Sequence, residues 1–211
     1  MVQAAEQVVQ ESDKVLDSDR LPDPCNDRQV KSVKAPPVIP LSLQRVLPMT
    51  SPNCEIKLEL VKNYLQECGM LSQECLMDIM RRTKYILKAE PNLMRVEGKV
   101  VMIGDIHGQF FDLLAMLRKI DAHNPSEEMK LVFMGDYVDR GNYGPEVAAY
   151  LFCMKLKHPD RIFLLRGNHE SRDMAESFNF RQQVLNLYDQ AVYEEFMETF
   201  DVLPVAAQVN G

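Results

Sequence analysis

The stretch KVVMIGD, residues 99–105, decides the fold class, because a β-branched apolar run ends abruptly in Gly104 and Asp105. Two further apolar runs end in the same manner, MKLVFMGD (residues 129–136) and RIFLLRGNHE (residues 161–170). The two intervals carry apolar residues at helical spacing, in QFFDLLAMLRKI (109–120) and PEVAAYLFCMKLKHP (145–159). This alternation predicts βαβ crossovers and a partly parallel sheet. We therefore expect an α/β fold with a βαβαβ core.

Two helices are predicted before this core, between residues 56 and 90, each with one apolar stripe. The stripes consist of Ile56, Leu60, Val61, Tyr64 and Leu65, and of Leu76, Ile79, Met80, Thr83 and Leu87. We expect Gly69 to end the first helix in a left-handed cap and Ser72 to cap the second. After the core, residues 176–200 predict at least one more helix, and residues 203–211 predict a strand entering a turn.

The first 55 residues differ from the rest in composition, as in KAPPVIPLSLQRVLPMTSPN (residues 34–53). They are rich in proline and charge and have only weak periodicity. Proline removes a backbone donor and disfavours helix at the residue before it. We therefore expect a flexible N-terminal arm over residues 1–55 and a folded domain over residues 56–211.

Composition excludes several classes of protein. The 211 residues carry a net charge of −7, which argues against a broad nucleic-acid surface. No apolar run approaches the roughly 20 residues of a membrane span, and the N-terminus lacks the pattern of a signal peptide. The five cysteines are odd in number, which favours reduced thiols over a disulfide framework. We expect no nucleic acid and no membrane as partners, and a cytoplasmic or nuclear location.

Polar side chains follow all three predicted strands at the point where each strand ends. They are Asp105, His107, Asp136, Asp139, Arg140, Asn168 and His169. Ligands of open α/β sheets bind beyond the carboxyl ends of the strands, so these residues are expected to converge. Carboxylate, imidazole and amide groups together suit hard and borderline first-row metals. Asp136 follows the middle run and could bridge two ions, as in sites that clamp a phosphoryl displacement.

Simpler explanations exist for each motif alone. GDIHG (104–108) and GNHE (167–170) are each compatible with an ordinary turn that satisfies its own hydrogen bonds. Asp139 could cap a local turn, and Arg140 could form a surface ion pair. Three such motifs in order, each at a strand end, favour the metal site over these explanations.

The three motifs resemble those of the metal-dependent serine/threonine phosphoprotein phosphatases, in GDIHG (104–108), GDYVDRG (135–141) and RGNHE (166–170). Within that family the chain is most similar to calcineurin-type catalytic subunits, through GDIHGQFFDL (104–113), LLRGNHESR (164–172) and FDVLPVAA (200–207). The resemblance extends over roughly residues 27–211. It implies a β-sandwich flanked by helices, with two metal ions at its edge.

The resemblance also implies a role for each candidate residue. Metal ligands would be Asp105, His107, Asp136 and Asn168; the general acid would be His169, oriented by Asp139; and Arg140 would bind the substrate phosphate. The first ion would be iron and the second zinc or manganese, with Asp136 bridging them. The implied reaction is direct attack of metal-bound hydroxide on phosphoserine or phosphothreonine in phosphoprotein substrates.

The chain lacks several residues that the family pattern includes. The family's two further histidine ligands and second phosphate-binding arginine lie in a C-terminal half, as do the segments that bind a calcium-binding regulatory subunit and calmodulin. We therefore expect residues 56–211 to be the N-terminal part of a metallophosphatase catalytic domain, in a truncated form with little activity alone. A smaller departure is NYGPE (142–146), in the loop after Gly141.

Two alternatives remain open at this point. The chain could be another metallophosphoesterase, such as a dinucleotide polyphosphate hydrolase, although the complete GDYVDRG motif favours a protein phosphatase. It could also be a non-catalytic fragment that acts as a partner-binding module. The P-loop pattern GxxxxGK[ST] is absent, which disfavours a nucleotide-driven role.

Overall fold

The computed structural model describes residues 14–20, 34–48, 55–120 and 128–211. Its contacts divide the chain into two compact units, Met1–Cys75 and Leu76–Gly211. Within the described ranges, each helix is either too short or too polar to cross a membrane.

The described part of the first unit contains short helical elements. They are a 3-10 turn (Asp17–Asp19), α1 (Leu43–Val46), α2 (Leu58–Gln66) and the start of α3 (Gln73–Ala89). All five residues of the stripe predicted for α2 are buried. Leu41 and Val46 are buried as well, and the buried Asp19 pairs with Arg45 at 2.9 Å. The assignment of residues 1–55 to a flexible arm stays a prediction.

The turn between α2 and α3 corrects one sequence expectation. Cys68, with φ 62°, takes the left-handed position that was expected at Gly69. Gly69 is required for a different reason, because a Cβ there would lie 2.4 Å from Cδ1 of Tyr64. The cap predicted for α3 is confirmed, since the backbone N–H of Cys75 donates to Ser72 Oγ at 3.2 Å.

The second unit is an α/β structure with more elements than predicted. Its helices, after the body of α3, are α4 (Phe110–Lys119), α5 (Gly144–Lys157), α6 (Arg172–Ser177), α7 (Phe180–Leu187) and α8 (Gln190–Phe200). Its strands are β1 (Leu93–Val96), β2 (Lys99–Ile103), β3 (Met129–Phe133), β4 (Ile162–Leu164) and β5 (Ala206–Val209). Strand β1 was not predicted, and residues 176–200, predicted to hold at least one helix, contain the end of α6 and all of α7 and α8.

The strands form two parallel sheets whose topology confirms the predicted βαβαβ core. One sheet has the order β2-β3-β4, and the other pairs β1 with β5. A shared apolar cluster joins the sheets, with Met94 and Val96 from β1 against Val132 of β3 and Phe163 of β4. Because β2, β3 and β4 run parallel, their carboxyl ends lie at the same edge of the sheet.

Helix α5 is buried along most of its length and contains a buried charge. The ammonium group of Lys155 donates to the carbonyl oxygens of Pro159 and Ile162, each at 2.8 Å, and to the Glu90 carboxylate. Burial lowers the pKa of Lys155, an effect that Glu90 opposes. This one side chain therefore ties α5 to the residues before β1 and to β4.

Replacing Lys155 by alanine is expected to destabilise the protein by about 3 kcal/mol, because removal of the fully buried ammonium group leaves the partly buried Glu90 carboxylate and two carbonyls without this partner. Urea unfolding followed by circular dichroism measures the change. Lys119→Ala, at the exposed end of α4, is the matched control and should stay within about 0.5 kcal/mol of wild type. Equal unfolding midpoints for the two variants would contradict this role of Lys155.

Glu146, in the first turn of α5, predicts a pH dependence of stability. Burial raises its pKa to about 6, and its Oε2 atom makes no hydrogen bond within the described residues. A raised pKa means that the fold favours the protonated acid, so this stability is present below pH 4.5 and is lost as pH rises through 6.

Glu146→Gln should therefore be more stable than wild type above pH 6, by at most about 2 kcal/mol for a shift of about 1.5 pKa units. Urea titrations at several pH values between 4 and 8 measure the difference. Glu74→Gln removes an exposed carboxylate from the first turn of α3 and is the matched control. Parallel pH profiles for wild type and Glu146→Gln would refute the effect.

Candidate metal centre

The loops after β2 and β3 are joined by backbone hydrogen bonds. The amides of Ile106 and His107 both donate to the Asp136 carbonyl, at 3.0 and 2.9 Å. Gly108 N donates to Tyr137 O at 2.8 Å, and Gly141 N donates to His107 O at 2.9 Å. The two motif loops, about thirty residues apart in the chain, are thereby fixed against each other.

Three motif glycines lie where the loops approach too closely for a side chain. A Cβ at Gly141 would lie 2.3 Å from His107 O, and one at Gly135 would lie 2.3 Å from Gly167 N. A Cβ at Gly167 would lie 2.2 Å from Asp136 Oδ1. Contacts this short leave no space for a methyl group, so the glycines permit the convergence of all three loops.

Several candidate residues adopt the left-handed backbone conformation that side chains disfavour. Among the described residues, those other than glycine with positive φ are Cys68, His107, Asp136, Asp139, Arg140 and Asn210. Four of these six belong to the predicted site. Such conformations persist only where surrounding contacts hold them, and they concentrate at functional sites.

The His107 ring has a lone pair directed at two carboxylates. Its Nδ1 lies 2.9 Å from the Val138 carbonyl oxygen. Since a carbonyl only accepts, Nδ1 carries a proton, and in the neutral imidazole, the form that binds metals, Nε2 then carries the lone pair. That Nε2 atom is buried without a hydrogen bond in the described residues, 3.7 Å from Asp105 Oδ2 and 3.9 Å from Asp136 Oδ2.

Three electron-rich groups facing one another are unfavourable unless a cation lies among them. Imidazole nitrogen and carboxylate oxygen are the donors that zinc, iron and manganese accept. Ligand atoms of His107, Asp136 and His169 all lie within 4.8 Å of one another. The residues present therefore fit a metal ion. The strongest indication is His107 Nε2, which is buried without a hydrogen bond among the described residues.

His169 is held by a fully buried carboxylate. Its Nδ1 lies 2.8 Å from Asp139 Oδ2, and the other Asp139 oxygen accepts the Phe180 amide at 2.8 Å. The ring is packed edge-on between His107 and Phe178, with centroid distances of 4.7 and 4.9 Å. Because Nδ1 donates to Asp139, the Nε2 atom of His169 remains free for proton transfer or for a ligand.

The structure brings Asp105, His107, Asp136, Asp139 and His169 together in one cluster. Asn168 and Arg140 are exposed residues next in sequence to the buried His169 and Asp139. An open cavity of about 390 Å³ borders the cluster between the end of β2 and α4, with Asp105 on its wall.

Sequence reasoning missed the function of Glu170, the last residue of RGNHE. Its buried carboxylate accepts hydrogen bonds from the amides of Asp136, Tyr137 and Gly167, at 2.7, 2.8 and 3.0 Å. Burial raises the pKa of Glu170 to about 7, while the amide donors act in the opposite direction. The only signal in the sequence was a charged residue directly after Asn168 and His169.

The loop that carries Arg140 is held by α7. The carbonyl of Gly141 accepts hydrogen bonds from Asn179 Nδ2 at 3.1 Å and Gln183 Nε2 at 2.7 Å. The Phe180 amide also donates to the Asp139 carboxylate, so both neighbours of Arg140 are held, Asp139 by its side chain and Gly141 by its carbonyl.

The positions of Cys75 and Arg81 disfavour phosphatase chemistry with a cysteine nucleophile. Cys75 and Arg81 have the CxxxxxR spacing of a phosphate-cradling loop, but both lie within α3 and Cys75 is fully buried. A helix presents its backbone amides to its own carbonyls rather than to a phosphate.

Comparisons with known proteins agree with the geometry. Residues 98–211 match the family model described as calcineurin-like phosphoesterase. The chain is 38% identical over 143 residues to serine/threonine-protein phosphatase 2B catalytic subunit A1 of Saccharomyces cerevisiae, a match covering 68% of this chain and 25% of that relative. A solved structure, a protein serine/threonine phosphatase from S. cerevisiae with similarity to human phosphatase PP5, matches with a TM-score of 0.67 and 32% identity. This match covers 69% of the present chain and 48% of that one.

His107→Asn and His169→Asn form a matched pair that separates a ligand from a proton donor. Loss of His107 Nε2 should weaken Co²⁺ binding by more than about 100-fold, because even changes to outer partners of ligands cost about 10–100-fold. His169→Asn should leave the affinity little changed. Titration followed by cobalt absorption measures both. An equal loss of Co²⁺ affinity in both variants would show that His169 is a metal ligand as well as His107.

Proposed function

Because the chain belongs to the calcineurin-like phosphoesterase family, we propose that it derives from a serine/threonine phosphoprotein phosphatase that hydrolyses phosphoserine and phosphothreonine with two metal ions. The observation that carries the proposal is the unpaired Nε2 of His107 facing Asp105 and Asp136. The two yeast relatives, both named as serine/threonine phosphatases, support this substrate class.

Four residues would hold the ions in this proposal. Asp105 and His107 would bind the first, Asn168 would bind the second, and Asp136 would bind both. Iron with zinc, or manganese, suits this oxygen and nitrogen donor set. When bound, such ions lower the pKa of a water toward neutrality and neutralise charge on a phosphoryl group.

The remaining side chains handle the proton and the phosphate. Asp139 is fully buried and accepts Nδ1–H of His169, so it fixes the ring and would stabilise the imidazolium form, whose Nε2–H would give its proton to the departing serine or threonine oxygen. Arg140 is exposed, and its planar guanidinium can bind two phosphate oxygens. The contacts to Asp139 and Gly141 hold the loop that presents it.

The chain spans a quarter of the length of its curated relative and about half of the solved one. We propose accordingly that the 211 residues alone turn over substrate slowly, since the second ion would have only Asp136 and Asn168 as protein ligands. A calcium-binding regulatory subunit and calmodulin are proposed as partners, and the cytoplasm or nucleus as the location.

Peptide binding tests the proposal without depending on fast turnover. Fluorescence anisotropy should show that the Mn²⁺-loaded chain binds a phosphoserine peptide more tightly than its unphosphorylated form. Arg140→Ala should weaken this binding about tenfold or more, because hydrogen bonds to charged groups contribute about 1.5–3 kcal/mol. Arg118→Ala, an exposed arginine near the end of α4, is the control and should bind as wild type.

Hydrolysis of a phosphoserine peptide and of a dinucleotide polyphosphate separates this function from the alternative one. Slow release of phosphate from the peptide, with none from the dinucleotide, is expected. Faster cleavage of the dinucleotide would instead indicate a dinucleotide polyphosphate hydrolase. If phosphorylation of the peptide and the Arg140→Ala change both leave the binding affinity unchanged, the chain is a non-catalytic binding module.

A further inference from the structure

We propose that Glu170 is a positioning residue that sets the spacing of the second half of the metal site, an inference that rests on the proposed function. Glu170 is completely buried, and both of its carboxylate oxygens are used. Oε2 accepts the amides of Asp136 and Gly167, and Oε1 accepts the amide of Tyr137. One side chain from the loop after β4 therefore holds two consecutive residues of the loop after β3.

The hold is reciprocal, because Asp136 also accepts a hydrogen bond from the loop of Glu170. Its Oδ1 accepts the His169 amide at 3.0 Å. With Oδ1 engaged in this way, Oδ2 is the oxygen directed at His107 Nε2, 3.9 Å away. The bonds between Asp136 and the loop after β4 thus determine which Asp136 oxygen would be offered to an ion, and they hold Gly167 and His169 on either side of Asn168.

The Glu170 carboxylate lies against an unusual stretch of backbone. Asp136 has φ 53°, a conformation held against its intrinsic preference, and its amide bond to Glu170 is one of the contacts that hold it. A Cβ at Gly167 would lie 2.7 Å from Glu170 Oε2, so the acceptor occupies the space beside the glycine.

A glutamine of the same shape cannot replace this carboxylate. Its amide has a single acceptor oxygen, and its NH₂ group would face at least one of the three backbone N–H donors. Glu170→Gln is therefore expected to release part of the loop after β3 while preserving the volume of the side chain. The consequence for the site is a displaced Asp136, with no direct loss of a ligand.

Glu170 is itself held by Arg166, the first residue of RGNHE. Arg166 Nε donates to the Glu170 carbonyl at 3.0 Å, and its Nη2 donates to Asp201 at 2.6 Å. The first bond holds the Glu170 backbone, and the second anchors Arg166 to Asp201, so the main chain that carries the inward-facing carboxylate is itself supported.

The test compares wild type, Glu170→Gln and Glu146→Gln by isothermal titration with Mn²⁺ and by cobalt absorption. Glu146, in the first turn of α5, is a second glutamate of the same unit whose pKa is raised by burial, and its Oε2 makes no hydrogen bond within the described residues, so it controls for the loss of a desolvated carboxylate. Glu170→Gln is expected to bind about 10–100-fold more weakly, as for other partners that orient metal ligands. Glu146→Gln is expected to bind as wild type does.

The outcomes separate this inference from the proposed function. If wild type and Glu170→Gln bind Mn²⁺ equally, Glu170 has no positioning role and the proposed function is unaffected. If wild type itself binds no Mn²⁺ or Co²⁺, both proposals are wrong. A folded Glu170→Gln with weakened binding and an altered cobalt spectrum supports the inference, since a purely structural role would lower stability alone.

A measurement on wild type covers the case in which Glu170→Gln does not fold. Addition of Zn²⁺ should slow hydrogen exchange at the amides of Asp136, Tyr137 and Gly167, because an ion that binds Asp136 stabilises the conformation that these bonds support. Slowing of about tenfold or more is expected for a coupling of about 1.4 kcal/mol. Unchanged exchange at all three amides, with Zn²⁺ bound, would overturn the inference.

Discussion

Asp136 is the residue through which all three strand-end loops are joined. Its carbonyl accepts two amides from the loop after β2, its own amide donates to Glu170, and its Oδ1 accepts the amide of His169. These bonds hold the residue in a left-handed conformation that it would not adopt alone. The convergence of the site thus depends on several hydrogen bonds that all involve Asp136.

The parallel sheet explains why such a residue can exist. Strands β2, β3 and β4 end at one edge, so loops distant in sequence meet there. Glycines at 135, 141 and 167 allow these backbones to come within contact distance, and buried carboxylates accept hydrogen bonds from backbone amides of the same loops. Two buried carboxylates, those of Asp139 and Glu170, orient neighbouring groups, while Asp105 and Asp136 direct oxygens toward His107.

Much of this arrangement was predictable from sequence, because the information is local. Strand runs that end in Gly-Asp, helical stripes and three short motifs were enough to predict the βαβαβ core and the family. Strand β1 escaped prediction because its four residues include Arg95 and pair with β5 more than a hundred residues later. The contacts of Glu170 were not predicted because they are also distant in sequence. Its partners are backbone amides, and the identity of a residue does not indicate where its amide donates.

The most direct test of the central claim is anomalous diffraction from crystals of the chain soaked in Mn²⁺. The expected result is a manganese peak bound by His107 and Asp136, where His107 Nε2 and Asp136 Oδ2 lie 3.9 Å apart. A second peak beside Asn168 would complete the proposed pair. A well-ordered site without density there, or a peak bound only by other residues, would contradict the account.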